Sequence, residues 1–259
     1  MPLQSSGQIS LAQIAAEFGG SAPHALSEYY GDGNAPGSGE IRLGADFHGT
    51  SSGPAFVASV TSTTSNNMNY LSFNLSGQVQ NNDIVIVTWA SYAYCEQPGS
   101  SNGISMTTLT TGAASGPGYY TGYGTWTTGT STTLSFNSAK SWNNGGDIAG
   151  IASIFRPSSG TMSFRAGSQG NYSYVSTPSG APAASHASTQ LSIRTISAVS
   201  TASLSAPSGY TLAGQISKSN AGDPVYAAIA YSVNPGTSVS VANFSGMTDD
   251  NIASTLLFG

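Results

Sequence analysis

Leu71-Ser72-Phe73-Asn74-Leu75 places an apolar side chain at every second position. That period of two predicts a strand with one face buried and one face wet. Residues 84–89 are apolar almost throughout, as in a strand covered on both faces. Further strands are predicted over 132–136, 148–155, 191–196, 225–233, 239–244 and 252–258. Turn clusters separate them, among them Asn143-Asn144-Gly145-Gly146, Ser219-Asn220-Ala221-Gly222-Asp223 and Asn234-Pro235-Gly236. Many short strands with no helix between them predict a mainly β protein, a β-sandwich of the jelly-roll kind, over residues 56–259.

This region repeats itself. Ile84-Val85-Ile86 matches Leu191-Ser192-Ile193, and Thr108-Leu109 matches Thr211-Leu212. Tyr119 and Tyr123 match Tyr226 and Tyr231. Gly129-Thr130-Ser131 matches Gly236-Thr237-Ser238, and Asp147-Ile148-Ala149 matches Asn251-Ile252-Ala253. Two similar halves are therefore expected, at about 56–157 and 161–259. Met162 and Phe164 make the junction apolar, which favours one compact unit over two. The Pro/Ala-rich stretch 176–188 reads as a long surface loop.

Residues 1–55 differ. Ser10 and Gln13 form a Ser-x-x-Gln capping box, with Ile9 and Ile14 in hydrophobic-staple positions. Leu11, Ile14, Ala15 and Phe18 share one helical face, and Gly19-Gly20 end it. A second short turn is expected after Pro23, with Leu26, Tyr29 and Tyr30 on its apolar side. Ser6-Gly7-Gln8-Ile9-Ser10-Leu11 returns as Ser38-Gly39-Glu40-Ile41-Arg42-Leu43, each copy running on to an aromatic and a glycine (Phe18-Gly19; Phe47-His48-Gly49). A segment this short is expected to lack the means to bury its own apolar face. Ile9, Leu11, Ile14, Phe18, Leu26, Tyr29, Tyr30, Ile41, Leu43 and Phe47 are therefore predicted to dock on another protein. The alternative is a cap lying on the sandwich that follows.

Composition narrows the function. Only 7% of residues are charged, against roughly 25% in ordinary domains. The net charge of −5 and six dispersed Lys and Arg residues argue against nucleic-acid binding. No apolar run reaches the roughly 18 residues needed to cross a bilayer, and the N-terminus lacks a signal-peptide pattern. Cys95, the single cysteine, permits no internal disulfide and is expected to be a small buried hydrophobe.

The blocks Ile9-Ser10-Leu11-Ala12-Gln13-Ile14-Ala15-Ala16-Glu17-Phe18-Gly19-Gly20, Pro23-His24-Ala25-Leu26-Ser27-Glu28-Tyr29-Tyr30 and Ile41-Arg42-Leu43-Gly44-Ala45-Asp46-Phe47-His48-Gly49 resemble the leader of many tailed-phage virion proteins. Among these are tail-fibre-like and baseplate-associated proteins. The resemblance covers roughly the first fifth of the chain. It implies a virion subunit assembled in the host cytoplasm, attached through its leader to tail, baseplate or capsid proteins and forming a homo-oligomer. A receptor-binding adhesin at the tail tip and a capsid decoration protein are the alternatives.

Enzymatic chemistry is not expected. His24, His48 and His186 are far from any Gly-x-Ser-x-Gly pattern. Asp83, Asp147 and Asp223 precede apolar strands, where a carboxylate closes a turn. Asp32-Gly33-Asn34 and Asp249-Asp250-Asn251 offer oxygen ligands but not a calcium loop, so no metal or cofactor is expected. The best candidate for a ligand surface is aromatic: Tyr119, Tyr120, Tyr123 and Trp126, with Tyr92 and Tyr94, among Gly, Ser and Thr. Such rings stack on sugars, which predicts a host-glycan site. The competing expectation is that these side chains are core.

Overall fold

The computed structural model describes residues 3–20, 22–30, 35, 38–47, 53–64, 70–92, 99–102, 104–111, 118–127, 131–137, 147–158, 160–170, 181–187, 189–199, 204–219, 224–241, 243–245 and 251–259. The chain forms two compact units. One comprises Met1–Pro54 with Pro157–Gly160, the other Ala55–Arg156 with Thr161–Gly259.

The larger unit is all β. Its first half holds β1 (Ala55–Thr64), β2 (Tyr70–Asn74), β3 (Ile84–Ser91), β4 (Gly99–Asn102), β5 (Thr107–Thr111), β6 (Gly118–Thr125), β7 (Thr133–Asn137) and β8 (Ile148–Arg156). The second half holds β9 (Phe164–Gln169), β10 (Ala184–Ser185), β11 (Leu191–Val199), β12 (Thr211–Lys218), β13 (Val225–Val233), β14 (Ser238–Val239) and β15 (Asn251–Phe258). In the first half β1 pairs β8, β2 pairs β7 and β3 pairs β6, all antiparallel. In the second, β9 pairs β15, β10 pairs β14 and β11 pairs β13. Such nested pairing is a long hairpin rolled up on itself, the jelly-roll topology.

The halves share one sheet order. β1-β8-β3-β6-β5 in the first is matched by β9-β15-β11-β13-β12 in the second. Even the irregularities recur. Edge strand β1 has a bulge after Phe56 and β9 has one after Phe164. β5 and β12 are bulged after Thr108 and Leu212.

Register corrects part of the sequence alignment. Phe155 pairs Ile84 as Phe258 pairs Leu191, so Ile148, not Asp147, is the counterpart of Asn251. By the same measure Tyr119 answers to Ala227 rather than Tyr226, and Thr107 rather than Thr108 answers to Thr211. Each slip is one residue, because the connections differ in length between the halves. The match of Tyr123 with Tyr231 holds: they oppose Ile86 and Ile193. The Gly129-Thr130-Ser131 match falls partly outside the described residues.

Four layers result. Leu71, Phe73 and Leu75 near β2, with Leu134 and Phe136 of β7, pack on Val85, Val87, Trp89, Ala152 and Ile154 of the first large sheet. The opposite face of that sheet, with Ile84, Ile86, Ile151 and Phe155, packs on Leu191, Ile193, Ile229, Leu256 and Phe258 of the second. β3 therefore alternates between two cores, and all its residues are buried. Beyond the second large sheet, Ala181, Leu204 and Phe244 cover Ile196, Ala228, Ala230 and Ala253.

Two aromatic triads fasten the large sheets together. Phe56 and Phe155 of the first half hold Tyr231 of the second, with Phe56 stacked on Tyr231 at 5.3 Å. Phe164 and Phe258 of the second hold Tyr123 of the first, with Phe164 stacked on Tyr123 at 4.5 Å. These are the same contact made twice, as across a two-fold axis. Between them lie hydroxyls: Thr88 Oγ1 is 2.8 Å from Ser197 Oγ, and Thr121 Oγ1 is 3.0 Å from Thr195 Oγ1. Buried hydroxyls paired in this way fix the sheets' relative register, since a slip would leave them unsatisfied.

Two predicted elements change. The strand expected over 239–244 shrinks to Ser238–Val239, and beyond it Ser245 makes an isolated bridge to Ser205. The expected loop 176–188 is not all surface, since Ala181 is fully buried and Ala184–Ser185 forms β10.

Candidate functional site

The leader contains α1 (Leu11–Phe18), a 3-10 turn (Leu26–Tyr29) and α2 (Leu43–Phe47). Ser10 caps α1 as its sequence predicts: the Gln13 amide donates to Ser10 Oγ at 3.2 Å, and the Ser10 amide donates to Gln13 Oε1 at 2.8 Å. α2 was not expected. It starts at Leu43, the repeat counterpart of Leu11, and the Arg42 amide donates to Asp46 Oδ2 at 2.6 Å in place of the capping box. The glycines of the repeat share a left-handed backbone, φ +97° at Gly7 and +99° at Gly39. The repeated hexapeptide is thus a repeated structure.

The two copies pack on each other. Phe18 meets Phe47 edge-on at 5.7 Å, and Tyr29 meets Phe47 at 6.4 Å. Leu3, Ile9, Ile14, Tyr29, Ala35 and Phe47 form a buried cluster, flanked by the half-buried Leu11, Phe18, Ile41 and Leu43. The expectation that this segment cannot bury its own apolar face is overturned, because the second copy of the clip supplies the missing surface. Ile9, Ile14, Tyr29 and Phe47 are consequently core residues, not docking contacts. Of the predicted docking set only Leu26 (38% exposed) and Tyr30 (41%) stand open, and the Tyr30 hydroxyl donates to the Gly39 carbonyl at 2.8 Å.

The predicted sugar platform is also core. Tyr119, Tyr120 and Trp126 are buried. Tyr120 lies flat on Trp89 at 5.6 Å, and Trp126 exchanges backbone hydrogen bonds with Asp83 and Asn82. Tyr123 is half-buried in its triad. Glycine makes this possible: a Cβ at Gly122 would lie 2.1 Å from the Tyr120 hydroxyl. Burial pushes the Tyr120 phenol up to about 12. Tyr92 is exposed, whereas Tyr94 and Cys95 lie outside the described residues.

Asp83 closes its turn by accepting from the Gln80 amide at 2.7 Å. It does more than the sequence suggested. Its two oxygens take Arg156 Nε and Nη2, both at 2.9 Å, and this hydrogen bonding raises the guanidinium pKa. Asp147 is buried, while Asp32, Asp223, Asp249 and Asp250 lie outside the described residues, as does His48. Among the described residues no three His, Cys, Asp or Glu side chains gather as a metal site would require.

Sequence reasoning missed Arg194. It sits in the middle of β11, facing away from the first half, and is 0% exposed. Nε donates to the Tyr210 hydroxyl at 3.0 Å, and the guanidinium lies 5.2 Å from the Tyr210 ring centre. Nη1 donates to the carbonyls of Ala181 (3.0 Å) and Pro182 (2.6 Å) and to Thr255 Oγ1. Nη2 donates to the Ser240 carbonyl at 2.6 Å. Every one of these acceptors is neutral. Arg194 also lines a cavity of about 660 Å³ with Ser208, Tyr210, Ser238, Ser240 and Asn243. Its sequence signal is a single Arg interrupting an apolar strand, one of six dispersed cations. Compared with protein families, curated proteins and solved structures, the chain shows no match.

Proposed function

We propose that this chain is a non-enzymatic structural subunit of a tailed-phage particle, a fibre-like or adaptor protein of the tail or baseplate that docks through its leader. The observation that carries the reading is the leader itself. It resembles virion leaders in three ordered blocks, and it folds as a compact unit with its own core. Five large hydrophobics are exposed among the described residues, and two of them, Leu26 and Tyr30, begin and directly follow its 3-10 turn. A preformed module loses little conformational entropy on docking, so a small apolar contact suffices. The low charge of the chain fits lasting contact with neighbouring subunits, because interface cores are depleted in charged residues. Jelly rolls serve capsid and lectin domains alike, an analogy of fold and not of function.

Leu26→Asp combined with Tyr30→Ser tests the reading. Both side chains are exposed, so the variant is expected to fold, with an unchanged circular dichroism spectrum. Its copy number in purified particles is expected to drop at least tenfold, about 1.4 kcal/mol of lost docking energy. Normal incorporation of the folded variant would refute docking through this face.

A further inference from the structure

The internal repeat separates what a jelly roll needs from what one copy has acquired. In the first half, the position of Arg194 belongs to Val87, which lies between Gly122 and Ala152 in register. In the second, Arg194 lies between Ala230 and Thr255. Val87 and Arg194 are both fully buried, so the same sheet is built with an aliphatic side chain in one copy and a permanent cation in the other. A guanidinium stays charged in a protein, and burying a charge without a counter-charge costs several kcal/mol. Packing alone would therefore favour valine. The first half shows what the chain does when a buried charge has only a structural part: Asp83 is matched by Arg156. Among the described residues no carboxylate contacts Arg194.

We propose that the Arg194 cavity binds an anionic saccharide, whose carboxylate or sulfate supplies the negative charge that no described residue brings to Arg194. Nη2 carries two hydrogens and, among the described residues, donates only to the Ser240 carbonyl. Around it, Ser208, Tyr210, Ser238 and Asn243 offer hydroxyl and amide groups that both donate and accept, the complement of a sugar's own hydroxyls. At about 660 Å³ the cavity is much larger than a free oxyanion and within the range of small-molecule sites. The net charge of −5 gives an anion no long-range attraction, so selectivity rests on the buried Arg194, whose field is little screened. The site is independent of the leader: it binds sugar whether or not the chain enters a particle.

The test is calorimetric titration of the full chain with a galacturonic acid disaccharide, a sulfated galactose disaccharide and their neutral galactose counterpart. At least one acidic form is expected to bind about tenfold or more tighter than the neutral form, and the stronger of the two identifies the anion. Arg194→Met is expected to erase that preference. Should it fail to fold, Ser208→Trp at the exposed rim is expected to block all binding while leaving the thermal transition unchanged. Equal affinity for charged and neutral sugars, no binding of any of the three, or binding unaffected by Ser208→Trp overturns the proposal.

Discussion

Tyr120 lies on β6, where three tyrosines stand among glycines and threonines, and its ring depends on one of those glycines. The ring needs Trp89 on one side and Phe136 near the other, and its hydroxyl needs the space that Gly122 leaves. Because it is stacked, the ring cannot swing aside. Gly122→Ala is expected to destabilise the protein by about 1–3 kcal/mol, the usual cost of overpacking; an unchanged unfolding midpoint would show that the contact yields. Burial also makes Tyr120 a pH-dependent contributor. Below pH 10.0 the phenol is protonated in both folded and unfolded chains, and its contribution is complete. Above that, the unfolded chain ionises first and binds fewer protons than the native one, so stability falls as pH rises towards about 12. The loss is expected to reach about 2–3 kcal/mol. Burial raises the Tyr123 phenol as well, so phenolate absorbance should show more than one tyrosine titrating late, and the loss of one of them in Tyr120→Phe assigns it. From sequence the same residue looked like a sugar platform. The close approach that buries it is a three-dimensional fact, visible only as an unexplained glycine.

At the scale of elements, the paired triads make the body one folding unit. Each triad takes a first and a last strand from one half and a tyrosine from the other, so neither half completes its own edge. The bulges after Phe56 and Phe164 belong to this device, since an extra residue re-aims the side chains of an edge strand. Tyr123→Ala and Tyr231→Ala are expected to cost similar amounts, about 2–4 kcal/mol each, and to lower a single cooperative transition. Two separate transitions, each sensitive to only one substitution, would mean that the halves fold apart. The strands with strong apolar patterns, β3, β8, β11, β13 and β15, were legible from the sequence, and so was the repeat. Strands β6, β9 and β12 were not, because glycine and small polar residues hide their period. The one-residue slips in the repeat arise in connections of unequal length, and the missed bulges, which recur in both halves, change register without leaving a compositional mark.

For the whole molecule, the leader and the body pose different questions. Ser10, Gln13 and the recurring hexapeptide gave the leader's local structure from sequence. Its self-sufficiency was hidden, because nothing local says that Phe18 and Phe47 will meet. Arg194 was hidden for the opposite reason: a lone cation is unremarkable until its partners prove neutral and its counterpart proves to be Val87. The chain is proposed to be a particle subunit held by exposed apolar side chains of its leader, Leu26 and Tyr30. A cryo-electron density map of the intact phage particle, resolved well enough to trace this subunit, tests that most directly. It is expected to show Leu26 and Tyr30 covered by a neighbouring virion protein. A subunit whose leader turn faces solvent, or a particle that lacks the chain, would contradict the account.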